Sequence, residues 1–307
     1  MRASGIMGRL VRILGVGFAL GILAATVVSA WGDLASESVS FDPIRAALAV
    51  LLLAAIYLGT VEAWRALMRL LGITLDYRDV IRLWSYSNLG RYLPGKVWTV
   101  VGVVVLAGDL GVPPGVATAH AFLGVGFMIG TGALVGLLLV PESVTSFGLA
   151  GMLIPVVALS SILPILLPGL LPAALRSLPR SFGCARIPTP RRRAVAVQVG
   201  RFALIWLLQG AGFLLLASSM GEVSLADFPR FAGAFALAYV VGLLAVFAPG
   251  GIGVREAVLG MLLGSFGGGD LPVHLLAVAS RLWAIAAELL ILLLAFTLGG
   301  PKGGTRA

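Results

Sequence analysis

The chain has 307 residues, of which 59% are hydrophobic and only 11% charged, with a formal net charge of +9; soluble domains carry roughly 25% charged residues. A chain so poor in polar groups cannot cover its own surface, which excludes a soluble globular domain. Its basic residues lie between apolar runs and not on a polar face interleaved with aromatics, which excludes a nucleic-acid surface, and the lone Cys184 excludes an intrachain disulfide.

Apolar runs fill the chain: Ile13–Ala30, Ile44–Trp64, Val80–Leu93, Val97–Leu106, Gly115–Val140, Phe147–Leu171, Phe202–Met220, Phe231–Ala248, Ile252–Phe266 and Val273–Leu298. The first follows Arg2, Arg9 and Arg12 and has the outline of a signal peptide. It is expected to be retained as a helix, because the crossing count required by the charge pattern includes it. Two pairs of runs are joined by tight turns, Val80–Leu93 to Val97–Leu106 by Pro94-Gly95 and Phe231–Ala248 to Ile252–Phe266 by Pro249-Gly250-Gly251. A crossing helix needs about 20 residues, and three of these four members fall short. Each pair therefore reads as a re-entrant hairpin whose tip stops inside the membrane, buried in protein.

The order of elements repeats. Gly72-Ile-Thr-Leu-Asp-Tyr-Arg-Asp precedes the first hairpin and Gly221-Glu-Val-Ser-Leu-Ala-Asp-Phe the second, and a long helix follows each. An odd number of crossings separates equivalent points, so the two units are expected to be inverted repeats. Residues 43–140 form the first repeat, 141–195 a connecting helix with a basic cytoplasmic loop, and 196–299 the second repeat. The fold expected is a single all-α integral membrane domain of about six transmembrane helices plus two re-entrant Pro-Gly hairpins. The positive-inside rule gives the same orientation from both ends. With the N-terminus cytoplasmic, Arg65, Arg69, Arg78, Arg82, the arginines from Arg176 to Arg201, Lys302 and Arg306 fall inside, while Asp33, Glu37, Asp42, Glu142, Glu222, Asp227 and Asp270 fall outside. Both termini are then cytoplasmic, the membrane is the inner one, and Pro172–Pro190 reads as a solvated loop near anionic lipid.

Six ionisable residues remain inside apolar runs: Arg91, Lys96, Arg255, Glu256, Arg281 and Glu288. Each charge at the bilayer centre costs about 2.5 to 3.5 kcal/mol, so the set must be paired or serve a ligand. Arg281 and Glu288 are seven residues apart and share a helical face. Pro94, Gly95, Pro249, Gly250, Gly251 and Gly253 mark hairpin tips that precede short helices, whose free N–H groups favour an anion. Four basic groups against two acidic ones define a net positive pocket suited to phosphate. Tyr92, Trp98 and Trp283 read mainly as packing or interfacial aromatics, His120 and His274 as packing residues, and Asn88 and Gln209 as interhelical hydrogen-bonding groups. The chain carries no P-loop, H-E-x-x-H or G-x-S-x-G motif. No catalytic residue, metal or cofactor is expected.

Ser87-Asn-Leu-Gly-Arg-Tyr-Leu-Pro-Gly-Lys-Val-Trp98, followed by Pro249-Gly-Gly-Ile-Gly-Val-Arg-Glu256 and Ser280-Arg281, resembles the lysylphosphatidylglycerol synthase transmembrane-region family, which includes the flippase-like domain of multiple-peptide-resistance proteins. The resemblance implies a lipid-translocating domain with Arg91, Lys96, Arg255, Glu256 and Arg281 at motif positions. It does not extend to an aminoacyl transferase domain, so the synthase activity is not expected. The function expected is movement of an anionic phospholipid or a polyprenyl-phosphate-linked lipid. A non-transporting accessory subunit for a glycosyltransferase or lipid-modifying enzyme is the alternative, and an enzyme acting on polyprenyl-phosphate is the weakest reading.

Overall fold

The structure, a computed structural model, describes residues 41–92, 97–142, 151, 153–177, 179–184, 187–245, 248, 251, 253–265 and 273–298. The expected first helix, Ile13–Ala30, lies outside them, as do Pro94, Gly95, Lys96, Pro249 and Gly250. The described residues are helical throughout, with no strand among them.

The helices are α1 (Pro43–Leu70), α2 (Tyr77–Asn88), α3 (Val97–Gly108), α4 (Pro114–Leu139), α5 (Leu153–Ser160), α6 (Leu163–Leu166), α7 (Leu170–Arg176), α8 (Arg192–Ala217), α9 (Phe228–Leu244), α10 (Val254–Ser265) and α11 (Val273–Thr297). A 3-10 turn, Leu89–Tyr92, extends α2. Asp42 starts α1 by accepting the N–H groups of Ile44 and Arg45 at 2.9 and 3.1 Å, and Pro43 fills the first helical position, where no donor is needed.

Five helices are long and apolar enough to cross a membrane: Pro43–Leu70, Pro114–Leu139, Arg192–Ala217, Leu225–Leu244 and Val273–Thr297. The protein is thus an all-helical membrane protein. Helices α2, α3 and α10 have 12 residues each, or about 18 Å, too little to cross, as the run lengths lead one to expect. Their partner α9 differs. Ser224 and Asp227 cap each other's backbone reciprocally and start a 3-10 turn that continues into α9, which brings that arm to crossing length.

Two further expectations are corrected. The continuous span over Phe147–Leu171 does not form. Its described part breaks into α5, α6 and the start of α7, because Pro164 and Pro168 each remove a backbone donor and crowd the preceding turn. The segment Pro172–Pro190 is no freely solvated loop. Cys184 and Ile187 are buried, Arg176 Nε donates to the Ile187 carbonyl at 2.8 Å, and Gly115 at the start of α4 lies against Phe182 and Cys184, where any side chain would collide.

Packing is reciprocal between the two halves of the chain. Helices α1 and α8 pack on each other. Helix α4 of the first half packs on α9 of the second, and α11 of the second packs on α2 of the first. Likewise α11 packs on α1 as α4 does on α8, and the pairs α2–α3 and α9–α10, α3–α4 and α10–α11, and α1–α2 and α8–α9 correspond. Buried polar groups tie the centre. Gln198 Nε2 donates to the Ala63 carbonyl at 2.7 Å, Trp206 Nε1 to that of Met128 at 3.0 Å, and the His120 Nε2–H to that of Trp64 at 3.1 Å. His120 is thus the packing residue expected.

Candidate functional site

The intramembrane charges of both halves converge on α11. Arg281 and Glu288 stand on it two turns apart, about 10 Å along the axis, and both are largely buried, with side-chain exposures of 12% and 13%. Each engages a different half of the molecule. Glu288 pairs with the Arg91 guanidinium of the 3-10 turn after α2 and accepts the Tyr92 hydroxyl at 2.8 Å. Arg281 pairs with Glu256 in the first turn of α10, its Nε and Nη2 at 2.9 and 2.7 Å from the same carboxylate oxygen.

Glu256 does a second job. Its other oxygen accepts the Gly253 N–H at 2.8 Å, the reach from the third helical position back to the cap that closes half of a capping box. The chain enters α10 through Gly251 and Gly253 at φ 71° and 82°, the left-handed region that glycine enters freely. Gly251 also lies so close to the Gly242 backbone that a side chain would sit 2.9 Å from its carbonyl oxygen. The start of α10 is therefore served by its own carboxylate, which occupies an N–H group that the sequence reading left to an anion.

Within this cluster Arg255 has no ion pair among the described residues. Neighbouring residues on a helix do not face each other, so while Glu256 turns to Gly253 and Arg281, Arg255 turns to α9. Its Cβ packs against Gly242, where a methyl group would leave 2.9 Å. Its guanidinium lies over the rings of Phe235 and Tyr239, 5.0 and 5.3 Å from their centroids. Arg255 is 8% exposed, and its Nε and Nη2 have no hydrogen-bond acceptor among the described residues. Aromatic faces offset part of the cost of a buried cation. They leave its Nε and Nη2 without an acceptor among the described residues.

Tyr57 of α1 joins the two clusters. Its hydroxyl lies 3.5 Å from Glu288, its ring packs on Trp84 of α2 with centroids 5.3 Å apart, and it lies within electrostatic reach of both Arg91 and Arg255. Of the expected site residues, Arg91, Arg255, Glu256, Arg281 and Glu288 come together around α11, with Gly251 and Gly253 at the entry to α10. Tyr57, Phe235 and Tyr239 were not anticipated. The signal for the two tyrosines was a polar tip in the middle of an aliphatic helix. Trp283 is a packing residue, buried with its ring against Phe235. Among the described residues no three His, Cys, Asp or Glu side chains gather as a metal would require. No family model matches the chain, and no curated protein matches it either.

Proposed function

We propose that the protein is a lipid translocator that passes an anionic, phosphate-bearing headgroup through the charged cluster at α11 while the acyl tails stay in the bilayer. The observation that carries this reading is Arg255, a guanidinium nine-tenths buried whose Nε and Nη2 lack an acceptor among the described residues. A buried charge is kept only when something pairs with it, and in this cluster three arginines face two glutamates. A phosphate oxygen would supply the missing acceptors in the bidentate geometry that guanidinium favours.

The same reading takes α2–α3 and α9–α10 as re-entrant hairpins in inverted repeats, and the cytoplasmic membrane as the site of action, with both termini inside. The exchanged packing of α4 on α9 and of α11 on α2 supports the repeats. The motifs around Arg91 and Arg255 support a distant relationship to the lysylphosphatidylglycerol synthase transmembrane-region family.

The test is movement of headgroup-labelled phosphatidylglycerol across proteoliposomes containing the full chain. Wild type is expected to move it, and Arg255→Gln to lose nearly all movement while keeping its detergent melting temperature. A wild type that moves no lipid would instead favour the accessory-subunit reading.

A further inference from the structure

We propose that Glu288 is the proton-binding carboxylate of this site: a phosphodiester headgroup engages Arg91 and Arg255 together as Glu288 takes up one proton. The proposal rests on the reading that the site takes a phosphate-bearing headgroup.

The two buried carboxylates are held differently. Glu256 accepts a main-chain N–H from Gly253 and two N–H groups of Arg281, and it lies at a helix start that favours a negative charge. Removing Arg281 from it would gain the headgroup nothing that Arg255 does not already offer. Glu288 is held by side chains alone: Arg91 and Tyr92 from the 3-10 turn, and Tyr57 from α1 at the longer distance of 3.5 Å. Among the described residues, the other charged or titratable groups on the surrounding elements include Arg281 two turns away with Glu256, Arg255 and Tyr239 beyond Tyr57, Glu62 with Arg65 and Arg69 on α1, and Arg82 with Asp79 near the far end of α11. Helix α8 adds only Arg192, Arg193 and Arg201, all in its first three turns.

Arg255 alone presents one guanidinium to the headgroup. Arg281 acts on Arg255 directly but is held by Glu256; Arg91, which shares the electrostatic neighbourhood of Tyr57 with Arg255, is the candidate for a second, and it is occupied by Glu288. If the headgroup takes Arg91, Glu288 becomes a buried carboxylate facing only phenols. That arrangement is costly unless the carboxylate is neutralised. A proton from bulk water on one Glu288 oxygen removes the charge, and the carboxylic acid still exchanges hydrogen bonds with Tyr92 and Tyr57. The lipid's single negative charge and the proton cancel, so the loaded cluster keeps the net charge of the empty one, and loading is electroneutral.

The experiment is calorimetric titration of the full chain in detergent with dioctanoylphosphatidylglycerol, in two buffers of different ionisation enthalpy and across neutral pH, with glycerophosphoglycerol as the tail-free arm. A phosphodiester does not titrate in this range, so any proton taken up belongs to the protein. Wild type is expected to take up about one proton per lipid and to bind about tenfold more tightly for each unit fall in pH. Glu288→Gln is expected to bind with no proton uptake and no pH slope, and Glu288→Asp to restore uptake. Lipid binding by wild type without proton uptake, or equal uptake by Glu288→Gln, would overturn the proposal while leaving the translocator reading in place. No lipid binding at any pH would overturn the translocator reading and the proton linkage with it. Tail-free ligand binding as tightly as the lipid, with the same proton uptake, would support the linkage and assign the site to a free phosphodiester. The wild-type proton count decides the matter even if Glu288→Gln does not fold.

Discussion

The seam between α4 and α9 and the seam between α11 and α2 each join one half of the chain to the other, yet the contacts described at them are of different kinds. At the first, Gly132 lies against Trp206 and Val240, with 2.8 Å left for a side chain, and Gly136 lies against Leu237. Phe127 of α4 stacks on Phe202 of α8, their rings 8° from parallel. The side chains that meet these glycines are apolar. At the second, the helices meet through Arg91, Tyr92 and Glu288 at one end and through Arg82 at the other. Glycine seams hold helices by dispersion over close backbones, which a small displacement forfeits along the whole contact. An ion-pair seam holds at a few points and can exchange one partner for another. The difference assigns rigidity to one seam and exchange to the other.

The largest expected effect comes from breaking the rigid seam. Gly136→Val places a side chain into Leu237, and overpacking of this kind costs about 1 to 3 kcal/mol or more. Loss of the monodisperse folded species, or a melting temperature lowered by many degrees, is expected in detergent. An unchanged melting curve would show that the seam is looser than described.

Next come the paired charges. Arg281→Ala strands Glu256, and Arg91→Ala strands Glu288, each costing about 3 kcal/mol by the usual penalty for half a buried pair. The double variant Arg91→Ala with Glu288→Ala is expected to recover most of that loss, so a double-mutant cycle on thermal stability measures the coupling directly. Arg255→Met should behave in the opposite way. It removes a cation with no ion-pair partner and keeps apolar contact with Phe235 and Tyr239, so the melting temperature is expected to hold or rise while lipid movement is lost. A fall as large as that of Arg281→Ala would make Arg255 structural.

The smallest effect concerns orientation. Burial pushes the Cys184 thiol up, so fewer thiolates exist at neutral pH and maleimide labelling of the native protein is expected to be slow, accelerating only as pH rises above the ordinary thiol range. In a Cys184→Ser background, cysteines placed at the exposed positions Arg191 and Glu222 bracket α8. They are expected to label from the cytoplasm and from the outside respectively, and the reverse would invert the topology.

The gathering of charges was legible in the sequence, because seven-residue spacing on an apolar helix leaves Arg281 and Glu288 a common face, and bilayer cost demands partners for both. The partition of the charges was not. Arg255 and Glu256 are adjacent, but consecutive helical side chains diverge by about 100°, and which of the two meets Arg281 depends on how α10 rolls against α9 at Gly242. The break after Ser160 had its signal in Pro164 and Pro168, and total apolarity hid it. The burial of Cys184 depends on a contact with Gly115, far away in the chain, which local composition cannot express.

One contact at the end of α11 bears on how the polar seam could open. The Arg82 guanidinium grips the Leu298 carbonyl at the end of α11, and Arg82 is itself braced by Asp79 at 3.2 Å. The Arg91–Glu288 pair lies ten residues back along α11, about 15 Å away. The two helices are thus a pair of tongs riveted at one end. A swing of only about 10° about the rivet parts the jaws by about 2.6 Å over that 15 Å arm. That is enough to part a charged pair while the pivot, and with it the register of the two helices, stays where it was.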